Sequence, residues 1–155
     1  MSPSESTFKA AVGWFELGNF MEAFTELENL PPEHRASVEV MELRCRMYRK
    51  LEKWQELEWV AEGCLGSGIE NIPFACHHAW ALLKQGNPKK AHAALKSVPY
   101  ECAPELLFTH ACVECALGNL DAARTFIADA ITFSLDSKAM KLRALDEPEL
   151  ENAWK

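Results

Sequence analysis

Cys112 and Cys115 stand in a Cys-x-x-Cys spacing, with His110 just ahead and a Cys76-His77-His78 run upstream. Thiolates and imidazoles are the donors of zinc sites, and paired thiols do disulfide exchange. Zinc needs three or four converging donors. On a helix, at about 100° per residue, Cys112 and Cys115 lie about 60° apart, whereas His110 points about 160° away from Cys112. A second Cys-x-x-Cys is absent, so zinc would need Cys76 or a histidine of the preceding hairpin. Disulfide chemistry needs a low-pKa thiol at a helix N-terminus beside a βαβ unit. These thiols fall mid-helix, where cysteine acts as a small hydrophobe at a crowded crossing, and Cys45 and Cys64 fit the same description. His78 and His110 take matching slots between paired helices, as neutral histidines donating to a neighbour. The chain has no Gly-rich phosphate loop and no Gly-x-Ser-x-Gly elbow. Glu56 and Glu58 lie on an ordinary helix surface. We therefore expect no metal, no cofactor and no catalysis, a thiol- or metal-dependent enzyme being the least favoured reading.

A second constellation is electrostatic. Arg46, Arg49, Lys50 and Lys53 fall at i, i+3, i+4 and i+7, which is one stripe of a helix. The plain reading is a solvated face, with Glu42 pairing Arg46 four residues on. Two others are an anion-binding surface and a seat for the acidic tail residues Asp146, Glu147, Glu149 and Glu151. The net charge of −7 disfavours nucleic acid, which is bound by neutralising phosphates.

These residues must be positioned by helices. Ala23, Leu57, Ala91 and Ala123 recur at intervals of 34, 34 and 32 residues. Leu27, Ala61, Leu95 and Ile127 follow four residues later, and Leu30, Cys64, Val98 and Ala130 seven later. All three sets share one helical face. Ala11, Cys45, Ala79 and Ala111 keep the same intervals in a preceding helix, with Trp14, Tyr48, Leu82 and the out-of-character Glu114 three residues on. Gly18-Asn19, Gly86-Asn87 and Gly118-Asn119 supply a helix stop and a following cap, a signal that Leu51-Glu52-Lys53 replaces in the second unit. Pro32, Pro73, Pro88 and Pro104 suit first turns.

The spacing predicts helices near 5–17, 20–30, 33–50, 53–65, 73–85, 88–97, 104–117 and 120–133, then one near 137–145 and a short tail, with no sheet. The hairpins are 5–30, 33–65, 73–97 and 104–133, closed by 137–155, in one domain of 155 residues. No run of 18 or more apolar residues predicts a membrane span. Residues 1–6 have no basic region followed by an apolar core, so no secretory signal is read there. Six cysteines without such a signal fit a reducing, cytoplasmic setting.

A period near 34 with two helices per unit resembles the tetratricopeptide repeat (TPR) family over about residues 5–133. The second-helix pattern of alanine then a large apolar residue is met; the first-helix leucine slot holds Ala10, Arg44, His78 and His110 instead. The stretch Phe108–Ala123, with a Leu-Asp-x-Pro-x-Leu tail at Leu145–Leu150, is similar to a set of bacterial TPR proteins, in which the counterpart of Glu114 is common. The resemblance implies an all-α, right-handed α-solenoid of four helix-turn-helix hairpins plus a C-terminal capping helix and tail. It implies a non-catalytic scaffold binding a protein or peptide segment in a concave groove, with no membrane role.

Carried over from the family, the groove slots hold Phe8, Val12, Phe15, Glu42, Arg46, Arg49 and Lys50, then Cys76, Trp80, Leu83, Lys84, Phe108, Cys112 and Cys115. Such a groove, apolar at its ends and basic in its middle, suits an amphipathic or acidic segment. Trp80 is either a groove anchor or a buried core residue. Trp14 and Trp54 take core slots, and Trp154 is expected to pack its ring under the tail. Self-association through Phe8, Phe15 and Phe108, giving a homo-oligomer, and a secretion-type chaperone are the alternatives.

Overall fold

The computed structural model describes residues 1–66, 72–98 and 102–155. Its helices are α1 (Pro3–Glu16), α2 (Phe20–Glu28), α3 (Pro32–Arg35), α4 (Val38–Lys50), α5 (Trp54–Gly66), α6 (Ile72–Lys84), α7 (Pro88–Lys96), α8 (Pro104–Ala116), α9 (Leu120–Phe133) and α10 (Ser137–Asp146), followed by a 3-10 helix, Pro148–Trp154. Among the described residues there is no strand.

The hairpins are α1–α2, α4–α5, α6–α7 and α8–α9. The first helices pack in succession, α1 on α4, α4 on α6 and α6 on α8, and the 3-10 helix covers α8. The repeating positions explain why. Ala11, Cys45, Ala79 and Ala111 are all fully buried, and so are Ala23, Leu57, Ala91 and Ala123. Small residues at these levels let paired helices approach, while Leu27, Leu95 and Ile127 fill the next turn. Stacked neighbours thus share a core that one hairpin could not build alone.

The four hairpin turns are the same device. Gly18, Gly86 and Gly118 have φ of 77°, 82° and 83°, and the second turn places Glu52 at φ 55°. Each turn closes with two backbone bonds, such as Gly18 N–H to the Phe15 carbonyl (3.0 Å) and Asn19 N–H to the Trp14 carbonyl (2.9 Å). Glu52 N–H bonds the Arg49 carbonyl and Lys53 N–H the Tyr48 carbonyl in the same pattern. These 6→1 and 5→2 bonds satisfy carbonyls orphaned at a helix end. Leu51-Glu52-Lys53 therefore makes the turn that its sequence does not announce.

Three boundaries differ from the sequence reading. Helix α1 begins at Pro3 because Ser2 and Glu5 form a reciprocal capping box. The predicted helix 33–50 is divided into α3 and α4, since Ser37 Oγ accepts from Val40 N–H and starts a new helix. The tail is a 3-10 helix, with Leu150 and Ala153 buried against the last hairpin. Arg124 Nε fixes it by donating to the Ala153 carbonyl at 2.8 Å. Trp154, expected to close the stack, is 44% exposed; Leu150 does that work instead, worth about 1.5–3 kcal/mol for a buried leucine.

Glu114 is explained by its surroundings. It is 6% exposed; His92 Nδ1 lies 2.7 Å from its Oε1, and Asn119 Nδ2 donates to its Oε2 at 2.7 Å. A carboxylate here ties α7, α8 and the following turn together.

Candidate functional site

The successive first helices and the C-terminal segment enclose an open cavity of about 700 Å³. Helix α4 supplies Arg46, Arg49 and Lys50, and α6 supplies His77, Trp80 and Lys84. Phe15 and Glu16 close one end with Phe20, Trp54 stands beside them, and Arg143 and Glu147 come from α10 and the tail. The lining carries five cations and two carboxylates, a formal excess of three positive charges on a chain whose net charge is −7.

The cations are held against aromatic rings. The Arg46 guanidinium lies 4.7 Å from the Phe15 centroid and that of Arg49 lies 4.6 Å from Trp80. Lys84 Nζ is 5.6 Å from Trp80 and 5.9 Å from Trp54, and Arg143 lies 4.0 Å from Phe108. Such contacts contribute roughly 0.5–1 kcal/mol at exposed sites and more when dehydrated. Two cations also have carboxylate partners: Lys84 pairs with Glu149 at 2.9 Å, and Arg143 forms a bidentate pair with Glu105 at 2.6 and 3.0 Å. Arg46, Arg49 and Lys50 make no ion pair among the described residues.

Burial holds the Arg49 guanidinium below its ordinary pKa, against the pull of Glu105 and Glu147. For Glu105 burial pushes the carboxyl up, but the Arg143 hydrogen bonds and the charges of Arg143, Arg49 and His77 outweigh it and hold the group below the usual carboxylate range. Two buried nitrogens of cavity-lining residues, His77 Nδ1 and Trp80 Nε1, have no hydrogen-bond partner among the described residues.

Of the residues assigned to the groove from sequence, the cavity gathers Phe15, Arg46, Arg49, Lys50, Trp80 and Lys84. Trp80 is both lining and core, only 2% exposed beneath its cations. Phe8 lies instead in a smaller pocket of about 310 Å³ with Leu30 and Val40, and Val12 packs into the N-terminal core. Glu42 faces His77 Nε2 at 3.3 Å rather than Arg46. Cys76, Leu83, Phe108, Cys112 and Cys115 are buried in the C-terminal core: α8 packs against α6, and the 3-10 helix covers α8 and removes its face from the concave surface. Phe108 is fully buried and gives another copy no surface to meet. Lys53, the end of the basic stripe, is exposed outside the cavity. The acidic tail does reach the cavity, but through Glu149 on Lys84 and Glu147 in the lining, not onto the stripe.

Sequence reasoning missed Glu16, Phe20, Trp54, His77, Arg143 and Glu147 as lining residues. Trp54 is half-buried at the head of α5, so its core assignment was half the answer. Arg143 carries no local signal; only the return of α10 toward α8 brings it in.

At Cys45, Cys76 and Cys112 burial works against thiolate chemistry. Burial raises the pKa of Cys45 and Cys112, and pushes that of Cys76 up to about 11. A raised pKa suppresses the thiolate, which is the nucleophile and the metal ligand. His110 stacks on Phe126 at 4.8 Å between centroids, and burial lowers its pKa, in keeping with a neutral imidazole. The donors that do converge are others: Glu58, Glu62 and His78 bring ligand atoms within 4.8 Å of one another on the surface of α5 and α6. Gln85 Nε2 donates to Glu58 there at 2.7 Å.

No helix of the described residues is long and apolar enough to cross a membrane. No family model matches the sequence, and no curated protein matches it. In three dimensions the chain is similar to the crystal structure of a tetratricopeptide repeat protein from Parabacteroides merdae ATCC 43184, with a TM-score of 0.76 at 14% identity. The likeness covers 99% of this chain, which spans 58% of that protein. With that likeness, the four matched turns and the buried small-residue levels, the chain has the tetratricopeptide-repeat fold.

Proposed function

We propose that the protein is a non-catalytic interaction module that holds an acidic segment of a partner protein in its concave groove. The observation that carries this reading is the charge of the cavity: five cations against two carboxylates in the lining, with Arg46, Arg49 and Lys50 left without ion pairs among the described residues of an otherwise acidic chain. Arg49, half-buried over Trp80 and without an ion pair among the described residues, is the cation from which an incoming carboxylate gains most. Phe15, Phe20 and Trp54 offer apolar contacts next to the charges, as an amphipathic segment requires. The fold itself commonly serves to bind proteins.

The test is selection from a displayed random-peptide library, comparing the wild-type chain with an Arg46→Glu/Arg49→Glu variant of equal helical content. The reading expects wild-type selection to enrich acidic peptides with apolar neighbours, and the variant to lose them by at least about tenfold. Equal selection by the two proteins would place binding elsewhere and sink the reading.

A second reading, self-association, has an observation of its own at the far end of the stack. Leu135, Leu142 and Leu145 are exposed around α10, along with Phe133. Exposed apolar residues at the end of α9, in the following connection and on α10 are suited to an end-to-end contact. A single monomeric mass across concentrations in light scattering removes this reading.

A further inference from the structure

Resting on that reading, we propose that the anion the groove is built to hold is a dianionic phosphate monoester carried by the partner segment, rather than a carboxylate side chain. The subsite is Arg46, Arg49 and Lys50, spaced i, i+3 and i+4 on α4.

Three observations carry this. First, both guanidinium groups rest against aromatic rings, Arg49 half-buried and Arg46 exposed. Arg46 lies over Phe15 and Arg49 over Trp80, at 4.7 and 4.6 Å from the ring centroids. A guanidinium stacked on a ring keeps its N–H edge for in-plane acceptors, and a planar fork of fixed orientation matches phosphate oxygens well. Second, carboxylates already line the cavity and do not satisfy these cations. Glu16 and Glu147 are both there, yet neither forms an ion pair with the three. A phosphate monoester brings close to two charges and three acceptor oxygens, which can engage two forks and an ammonium together. Third, the charge count fits. Lys84 and Arg143 are already matched by Glu149 and Glu105, which leaves Arg46, Arg49 and Lys50 without a direct ion pair among the described residues; one carboxylate would pair at most one of these charges, while a phosphate ester brings nearly two. The overall charge of −7 does not prevent this, because fields of distant surface carboxylates are screened beyond about 8 Å at physiological ionic strength.

The orphaned Trp80 Nε1 and His77 Nδ1 border the same cavity and are 2% and 5% exposed as residues. Trp80 also provides the readout. In the ¹⁵N-labelled protein its indole N–H resonance reports on the ring beneath Arg49. The titrants are N-acetyl-O-phosphoserine amide and N-acetylglutamate amide at matched ionic strength, with inorganic phosphate as a third arm. The proposal expects one saturable site that takes the phosphoserine derivative roughly tenfold more tightly than the glutamate derivative. Inorganic phosphate should shift the same resonance. Arg49→Gln should bring the two derivatives to equal, weak binding, and the exposed Lys50→Gln, which leaves both stacked arginines in place, should weaken the phosphoserine derivative selectively. Equal affinity of the wild-type protein for the two derivatives would overturn the phosphate assignment while leaving the acidic-segment reading intact. Binding that survives in both variants would overturn it as well. Arg49-dependent pelleting with phosphatidate vesicles, in the absence of phosphoserine binding, would move the phosphate to a lipid and overturn it too.

Discussion

Arg49 and Trp80 form one unit: the guanidinium carbon sits 4.6 Å from the indole centroid, on adjacent first helices of the stack. The ring joins core to groove, since its body is buried and its upper face is the floor under a cation. Its Nε1 is buried with no hydrogen-bond partner among the described residues, so removing the indole N–H breaks no hydrogen bond there. Trp80→Phe therefore loses area but no hydrogen bond, and should cost about 1–2 kcal/mol, whereas Trp80→Ala should cost about 3–5 kcal/mol. Urea denaturation of the two variants checks this. A phenylalanine variant as unstable as the alanine one would show that the indole nitrogen has a partner.

Glu52 sits at φ 55° where the other three hairpins place glycine. A side chain in the left-handed region costs roughly 1–2 kcal/mol, offset in part by the greater freedom glycine has when unfolded. Glu52→Gly should thus stabilise the protein by about 0.5–1 kcal/mol, and Gly118→Ala should destabilise it by about 1 kcal/mol. Thermal melts of both variants at one pH decide it; a destabilised Glu52→Gly would mean that the glutamate side chain is itself needed at the turn.

Arg143 and Glu105 join α10 to α8 through two hydrogen bonds. The folded-state pKa of Glu105 is depressed, so its contribution is complete above its unfolded pKa, near 4.3, and is lost as pH falls through the folded value. In Arg143→Met, burial is opposed only by the charges of Arg49 and His77, so the carboxyl should titrate at higher pH. The variant should be less stable than wild type at pH 7, and the gap should shrink below about pH 4. A small residual difference remains at acid pH, because the arginine also lies 4.0 Å from the Phe108 ring. A gap independent of pH would show that packing alone explains the arginine.

The repeat was legible because it is written in residue size. Ala11, Cys45, Ala79 and Ala111, with Ala23, Leu57, Ala91 and Ala123, recur at fixed intervals, and every one is fully buried. Periodicity and turn chemistry are local properties, so the chain states them directly. The basic stripe on α4 was legible for the same reason: Arg46, Arg49 and Lys50 share a face by spacing alone. Sequence did not tell which face of α8 would stay open. Phe108, Cys112 and Cys115 occupy the same slots as Glu42, Arg46 and Arg49 of α4, but the 3-10 helix covers α8. Nor could it bring Arg143 to Glu105, or Lys84 to Glu149, across 38 and 65 residues of chain. The helices and their order follow from local spacing. The sign and extent of the groove follow from how the chain's end folds back, a contact between distant segments that no local pattern encodes.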